Sequence, residues 1–413
     1  MESEVQRAVR FNEALNLIGQ HDSKDSFKAL IDSAPHLFKG FQLVYSSDNT
    51  ELDFGFASLS EVEESCEVLK KYYCGSGILI YDDEIYGKTT STGRAEFPLN
   101  FSVYFDSNVA AAFRTWEAGG EVRDPRFFEL MEYLKRRDLS FNYSFFILER
   151  LDELLNRQNE HPFDTIRALK RFDYTTMRES SDGLEFKHLL SREEAGKLAI
   201  QDIMTFARAP AAREAALQQK GMHLIMLKAF ELYLNNKKAI DQNLCEITRY
   251  CLDVVGRFAK LELFFAWKFF KYRTKYNFFS PMNAANSKSL KGIRGMSWDL
   301  FLLRFQETIT SMTPNGGFSI PFMSSFDNKF VELTKACPIR CTLLDLSYSR
   351  MHTLYEDDLE FMEDLGRALP QSMIKELGDP HLARQRMQCA PFTEELADGE
   401  LEKLSKKLAN RLG

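Results

Sequence analysis

Most signatures that assign a function outright are missing from this chain. No GxSxG elbow, HExxH helix or GxGxxG fingerprint occurs, which removes the common serine-hydrolase, zincin and dinucleotide-binding patterns. Gly87-Lys88-Thr89 has the ending of a phosphate-binding loop, but the upstream glycine position holds Asp82, beside Asp83 and Glu84. Three carboxylates there would repel a phosphate, so a turn between two strands is expected instead. The seven cysteines form no CxxC pair and have no His at zinc-finger spacing. Cys337 and Cys341 come closest, and supply only half of a structural zinc site, so free, mostly buried thiols are expected. His161, His188 and His223 lie in separate segments without a carboxylate or Cys at useful spacing.

Positive charge is also scarce. The formal net charge is −7, so any nucleic-acid site must be a local patch. No uninterrupted apolar run is long enough to span a bilayer, and Met1-Glu2-Ser3-Glu4-Val5 lacks the basic and apolar regions of a signal peptide. A cytosolic protein without membrane contact is the expectation. There is no internal repeat and no low-complexity tract.

What is present is apolar and aromatic. Hydrophobic residues make up 44% of 413 positions, with 35 Phe, enough for two or three domains or one enlarged one. The first hundred residues read as mixed α and β, with helices near 3–20 and 60–72 and strand candidates at 41–45 and 77–81. Residues 109–118 and 125–158 have helical periodicity, the latter broken near Asp138-Leu139-Ser140. Residues 159–290 have almost no strand character and read as helical. A helix beginning near Gly295, a turn at Thr313-Pro314-Asn315-Gly316-Gly317 and strands at 318–323 and 342–346 follow.

Four acids stand out against this background. Phe101-Ser102-Val103-Tyr104-Phe105 runs straight into Asp106-Ser107-Asn108, and Phe318-Ser319-Ile320-Pro321-Phe322-Met323 runs into Ser324-Ser325-Phe326-Asp327. An apolar strand that stops at Asp puts a carboxylate where open α/β sheets place their ligands. Glu149, in Phe146-Ile147-Leu148-Glu149, and Asp299, in Ser297-Trp298-Asp299-Leu300, sit in apolar helical settings. A carboxylate there is costly unless compensated, and a divalent cation compensates several at once. Against this stands the plain alternative of an N-cap Asp and helix acids that merely reach solvent.

Read in order, strand-Asp106-Ser107-Asn108-Val109, helix-Glu149, helix-Trp298-Asp299-Leu300 and strand-Ser325-Phe326-Asp327 resembles the PIN-domain nuclease family. Glu153, one turn on, is the alternative to Glu149. The resemblance implies a PIN-like α/β core with a mainly parallel central sheet flanked by helices. That core would comprise 98–158 and 292–350, preceded by an N-terminal α+β region (1–97), interrupted by a helical insertion (159–291) and followed by a helical tail (351–413). The interruption is large, since 150 positions separate Glu149 from Asp299. The resemblance further implies a Mg2+- or Mn2+-dependent endonuclease, acting on RNA before DNA, in a toxin or anti-phage role. Asp106, Asp299 and Asp327 would be metal ligands, and Glu149 a ligand or an orienting group. Asn108 and Ser325 are expected to hold carboxylates in place, with Asn108 also at the substrate.

Substrate binding is expected on the insertion. From Arg257 to Arg294 there are nine Lys or Arg and one acid, Glu262, interleaved with aromatics. This is the composition of a single-strand binder, although rings at helical spacing belong more often to a core. Lys271, Arg273, Lys275, Lys291 and Arg294 are the expected substrate contacts. The competing expectation is a catalytically silent protein that binds a protein partner, or a second copy of itself, through the insertion.

Overall fold

The computed structural model describes residues 2–412 except 22–24, 49–54, 93–98, 157–158, 181–182, 238, 311–316, 349, 380, 383–384 and 387–390. The chain is a mixed α/β protein in which helix predominates. Its strands are β1 (Gln42–Ser47), β2 (Gly55–Ser58), β3 (Leu69–Lys71), β4 (Gly77–Tyr81), β5 (Leu99–Phe105), β6 (Ser140–Asn142), β7 (Thr175–Ser180), β8 (Gly183–His188), β9 (Phe318–Ser324), β10 (Ile339–Asp345) and β11 (Arg350–Tyr355). They form an antiparallel sheet β11-β10-β1-β4-β2, a mixed sheet β3-β9-β5-β6, and the hairpin β7-β8.

The mixed sheet positions the acids. β5 runs parallel to both β9 and β6, and β3 joins the far side of β9 antiparallel. The β5/β9 register pairs Leu99 with Phe318 and Phe105 with Ser324, so both strands end at the same level. The Asp106 N–H extends this pairing by one bond, to the Ser324 carbonyl at 3.0 Å. Every residue of β9 is buried, as expected of a strand covered on both faces. Pro321 lacks a backbone donor, and β3 pairs only with 322–324, stopping short of it.

Several elements differ from the sequence reading. Gly87-Lys88-Thr89 lies inside the helix Asp83–Thr92, not in a turn. Asp82 accepts the Ile85 N–H, Lys88 pairs with Glu84 one turn back, and the Thr90, Ser91 and Thr92 hydroxyls bond carbonyls of the preceding turn. The helix expected over 60–72 stops at Ser65, because 69–71 is captured as β3 by β9. The supposedly strandless 159–290 stretch contains the β7-β8 hairpin, whose Phe186 packs edge-on to Trp116. Residues 342–345 of the 342–346 strand fall in β10, beside β1 in the antiparallel sheet and not beside β9, and 351–355 of the expected helical tail belongs to a further strand, β11. The break near residue 138 is real: Asp138 takes φ 48° and the chain turns into β6. Of the 313–317 turn, only Gly317 lies within the described residues.

The aromatic stretch is core. Phe264, Phe265, Trp267, Phe269, Phe270 and Phe279 are buried in and just beyond the helix Lys260–Tyr272, which is buried from Leu261 to Phe270, Glu262 and Lys268 included. The helix Asp358–Ala368 lies against it, with the Trp267 indole donating to Asp364 at 2.8 Å. Among the described residues no helix is long and apolar enough to cross a membrane. Cys251, Cys337 and Cys341 are buried free thiols, pushed up to about 12 by the loss of water.

Candidate functional site

Asp106 follows β5 and caps the helix Ser107–Glu117. Its carboxylate receives the Ser107 N–H at 2.6 Å and the Ser325 hydroxyl at 2.8 Å. Ser325 stands just past the end of β9, and its oxygen is a hub. It donates its one proton to Asp106 and accepts from the Asn108 amide at 3.4 Å and the Asp327 N–H at 3.3 Å. One donor and two acceptors use the whole capacity of a hydroxyl. The Asn108 carbonyl in turn receives the Phe326 N–H at 3.4 Å. Asn108 therefore braces one strand end against the other, through its carbonyl and one of the two N–H groups of its amide.

Asp106, Asp299 and Glu149 are each perturbed by burial and by neighbouring acids. Burial pushes Asp106 above the usual carboxylate range; the Ser325 hydroxyl opposes this and Asp327 adds to it. Asp299, in the helix Ser289–Thr310, is raised from 3.8 to about 7, chiefly by burial and then by Asp106, with Lys329 opposing and Asp327 and Glu149 adding. It has no hydrogen bond or ion pair among the described residues. Glu149, ending the helix Ser144–Glu149, is raised by burial, held back by Arg150 and raised further by Asp106 and Glu153. Such shifts need the charged groups to be close in a place poor in water.

The same electrostatics separate Glu149 from Glu153. Glu153 is lowered, because Arg150 donates to it at 2.9 Å and Asn159 at 3.3 Å. Glu149 keeps the desolvated position facing Asp106. The countercharges Arg150 and Lys329 were not picked out from sequence, although each adjoins an acid: Arg150 follows Glu149, and Lys329 lies two residues past Asp327.

These carboxylates face one region without closing on a common point. Among the described residues, no three His, Cys, Asp or Glu side chains stand together as a ready metal cage. Three of the four have a local partner instead: Asp106 its serines, Glu149 the Arg150 guanidinium at 3.6 Å, and Asp327 the Lys329 N–H at 2.9 Å. The chemistry of the set nevertheless fits a hard cation, being all oxygen, poorly hydrated and short of positive charge.

The expected substrate cations divide. Lys271 is neutralised by Glu360 at 2.8 Å and Asp364 at 2.5 Å, so it serves the helix packing, a correction to its expected role. Arg273 lies over the Tyr233 ring at 4.6 Å. Lys275 is exposed above Tyr272 and Tyr276. Lys291 and Arg294 are exposed on the helix that carries Asp299. The charge of Arg294 reaches both Glu153 and His223, placing it beside the acidic region. No family model, curated protein or solved structure matches this chain.

Proposed function

We propose that this chain is a metal-dependent phosphodiester hydrolase with a PIN-like core, acting on single-stranded RNA before DNA. The observation that carries the reading is Asp299, a carboxylate raised to about 7 amid three other acids, at the end of a sheet where two parallel strands stop together. A group so perturbed, with no structural partner to explain it, marks a functional site more often than a structural one. Bound Mg2+ or Mn2+ would supply an acidified water and neutralise charge at phosphorus. Asp106, held by Ser325, would be the fixed ligand; Asp299 and Asp327 would complete the set, and Glu149 would bind or orient it. Arg294 and Lys329, both exposed beside the acids, would take the flanking phosphates.

A second reading, a catalytically silent protein that docks a partner through its helical region, draws on the absence of a closed carboxylate cage among the described residues. Incubation of the full chain with a fluorescent single-stranded RNA in Mn2+ or in EDTA separates the two. Cleavage in Mn2+ alone, abolished by Asp106→Asn and by Asp327→Asn, is expected. Retention of cleavage and of Mn2+-induced thermal stabilisation in both variants would make these acids structural.

A further inference from the structure

A second feature of the same region lies beside β3, the strand that borders β9 on the side away from β5. The helix Lys329–Ala336 leaves the acidic edge two residues after Asp327 and carries Lys335 into a cavity of about 480 Å³. Its other walls hold Lys70 and Lys71 of β3, Lys275, Tyr276 and Glu356. Lys329 to Lys335 is six residues, or about 9 Å of helix rise. β3 makes the same connection, since Leu69 pairs with Ser324 at the acidic end while Lys70 and Lys71 follow along the strand.

The charge in this cavity is not balanced. Of its three carboxylates, Glu63 is engaged by Lys71 at 3.3 Å and Asp357 by the buried Lys268. Only Glu356 has no ion pair among the described residues. Against it stand three ammonium groups. Lys70 donates to the Glu67 carbonyl at 2.6 Å and has no carboxylate among the described residues. Lys275 lies 5.4 Å from the Tyr276 ring centre and likewise has none. Lys335 pairs with Glu332 at 2.9 Å, but its side chain is 60% exposed, and such surface pairs are worth about 1 kcal/mol or less and yield readily to a better anion. In a chain of net charge −7, these solvent-facing ammonium groups, with a single carboxylate among them that lacks an ion pair among the described residues, make a local positive patch of the kind that attracts an anion.

We infer that this cavity seats a backbone phosphate of a single-stranded nucleic acid whose scissile bond lies at the acidic edge. At a rise of roughly 3.4 Å per stacked nucleotide, the helix spans about three nucleotides between the two points. Lys335, Lys275 and Lys70 are positioning groups for the strand. Lys329, 74% exposed at the start of the helix, lies on the path between. The inference rests on the hydrolase reading for its substrate class, but its test does not depend on cleavage.

Fluorescence anisotropy of a 5′-fluorescein-labelled 12-nucleotide oligouridylate is measured with the full chain in EDTA, over a range of salt. Lys275→Glu with Lys335→Glu is expected to weaken binding at least tenfold and to flatten the log–log salt slope by roughly 0.7 for each phosphate no longer neutralised. The charge-neutral Lys335→Gln should give a smaller change in the same direction, with an unaltered melting temperature. Lys197→Glu, at an exposed position of the helix Arg192–Arg208, should leave affinity unchanged. Wild-type affinity in the double variant, or no oligonucleotide binding by the wild type at low salt, overturns the inference. Failure of the hydrolase reading looks different: the double variant then loses binding as expected, while Mn2+ neither stabilises nor activates the wild type.

Discussion

Replacing Asp299 by Asn removes a charge that folding forces into a poor environment. Its carboxyl titrates near 3.8 when unfolded and near 7 when folded, so between these values the folded chain holds a proton that the unfolded chain has released. Stability therefore falls as pH rises through this window, and the full penalty is present above pH 7. Three pH units correspond to about 4 kcal/mol. Residual water at the half-buried side chain reduces this to about 2–4 kcal/mol. Unfolding entropy of about 2.1 cal/mol/K per residue amounts to about 0.9 kcal/mol per degree for a chain of this length. Asp299→Asn should then melt about 2–5 °C above the wild type at pH 8.5, and the gap should shrink by more than half at pH 5. Thermal melts in buffers of matched ionic strength, with EDTA present, read this directly. A gap that is absent, or identical at both pH values, would refute the claim that Asp299 is an uncompensated buried acid. With Mn2+ added, the wild type should gain stability and the variant should not.

Two further substitutions test how the site is held. Ser325→Ala removes the donor to Asp106 and the acceptor for Asn108 and Asp327; a loss of about 1–3 kcal/mol in urea unfolding is expected, together with at least a tenfold loss of Mn2+-dependent cleavage. An unchanged urea midpoint would show that the hub is dispensable. Glu117, fully buried, anchors Arg171 and Arg192 at 2.7 Å and Arg167 at 3.4 Å, tying the helix after Asp106 to the hairpin region. Glu117→Gln strands these guanidinium groups and should cost about 3 kcal/mol, near the lower end for a broken buried pair because Arg192 is partly exposed; a midpoint within error of the wild type would refute the anchoring role.

The local pieces of the site were legible in the residues alone. Phe101-Ser102-Val103-Tyr104-Phe105 and Phe318-Ser319-Ile320-Pro321-Phe322-Met323 read as strands from their apolar, aromatic-rich runs, and are strands, the second buried throughout and the first buried from Val103 to Phe105; the capping chemistry of Asp106 is equally local. The buried aromatic helix around Trp267 was legible in the same way, from rings at helical spacing. Partnership, by contrast, was settled by the folded chain. Residues 69–71 became a strand because β9 offered an edge, and 342–344 paired with β1, a strand about three hundred residues earlier, in the antiparallel sheet. Composition marked Lys271 as a substrate cation, but its neutralising carboxylates are supplied by a helix 89 and 93 residues further on. Glu149 and Glu153 are alike in sequence; in the fold Arg150 hydrogen-bonds Glu153 at 2.9 Å and stands 3.6 Å from Glu149, which burial still raises. Side-chain shape and periodicity over a few residues set an element's tendency, but whether 69–71 and 351–355 became strands, like the charge a group carries and the strand it pairs with, depended on what folding brought beside them, and proximity of that kind is not encoded in any local window.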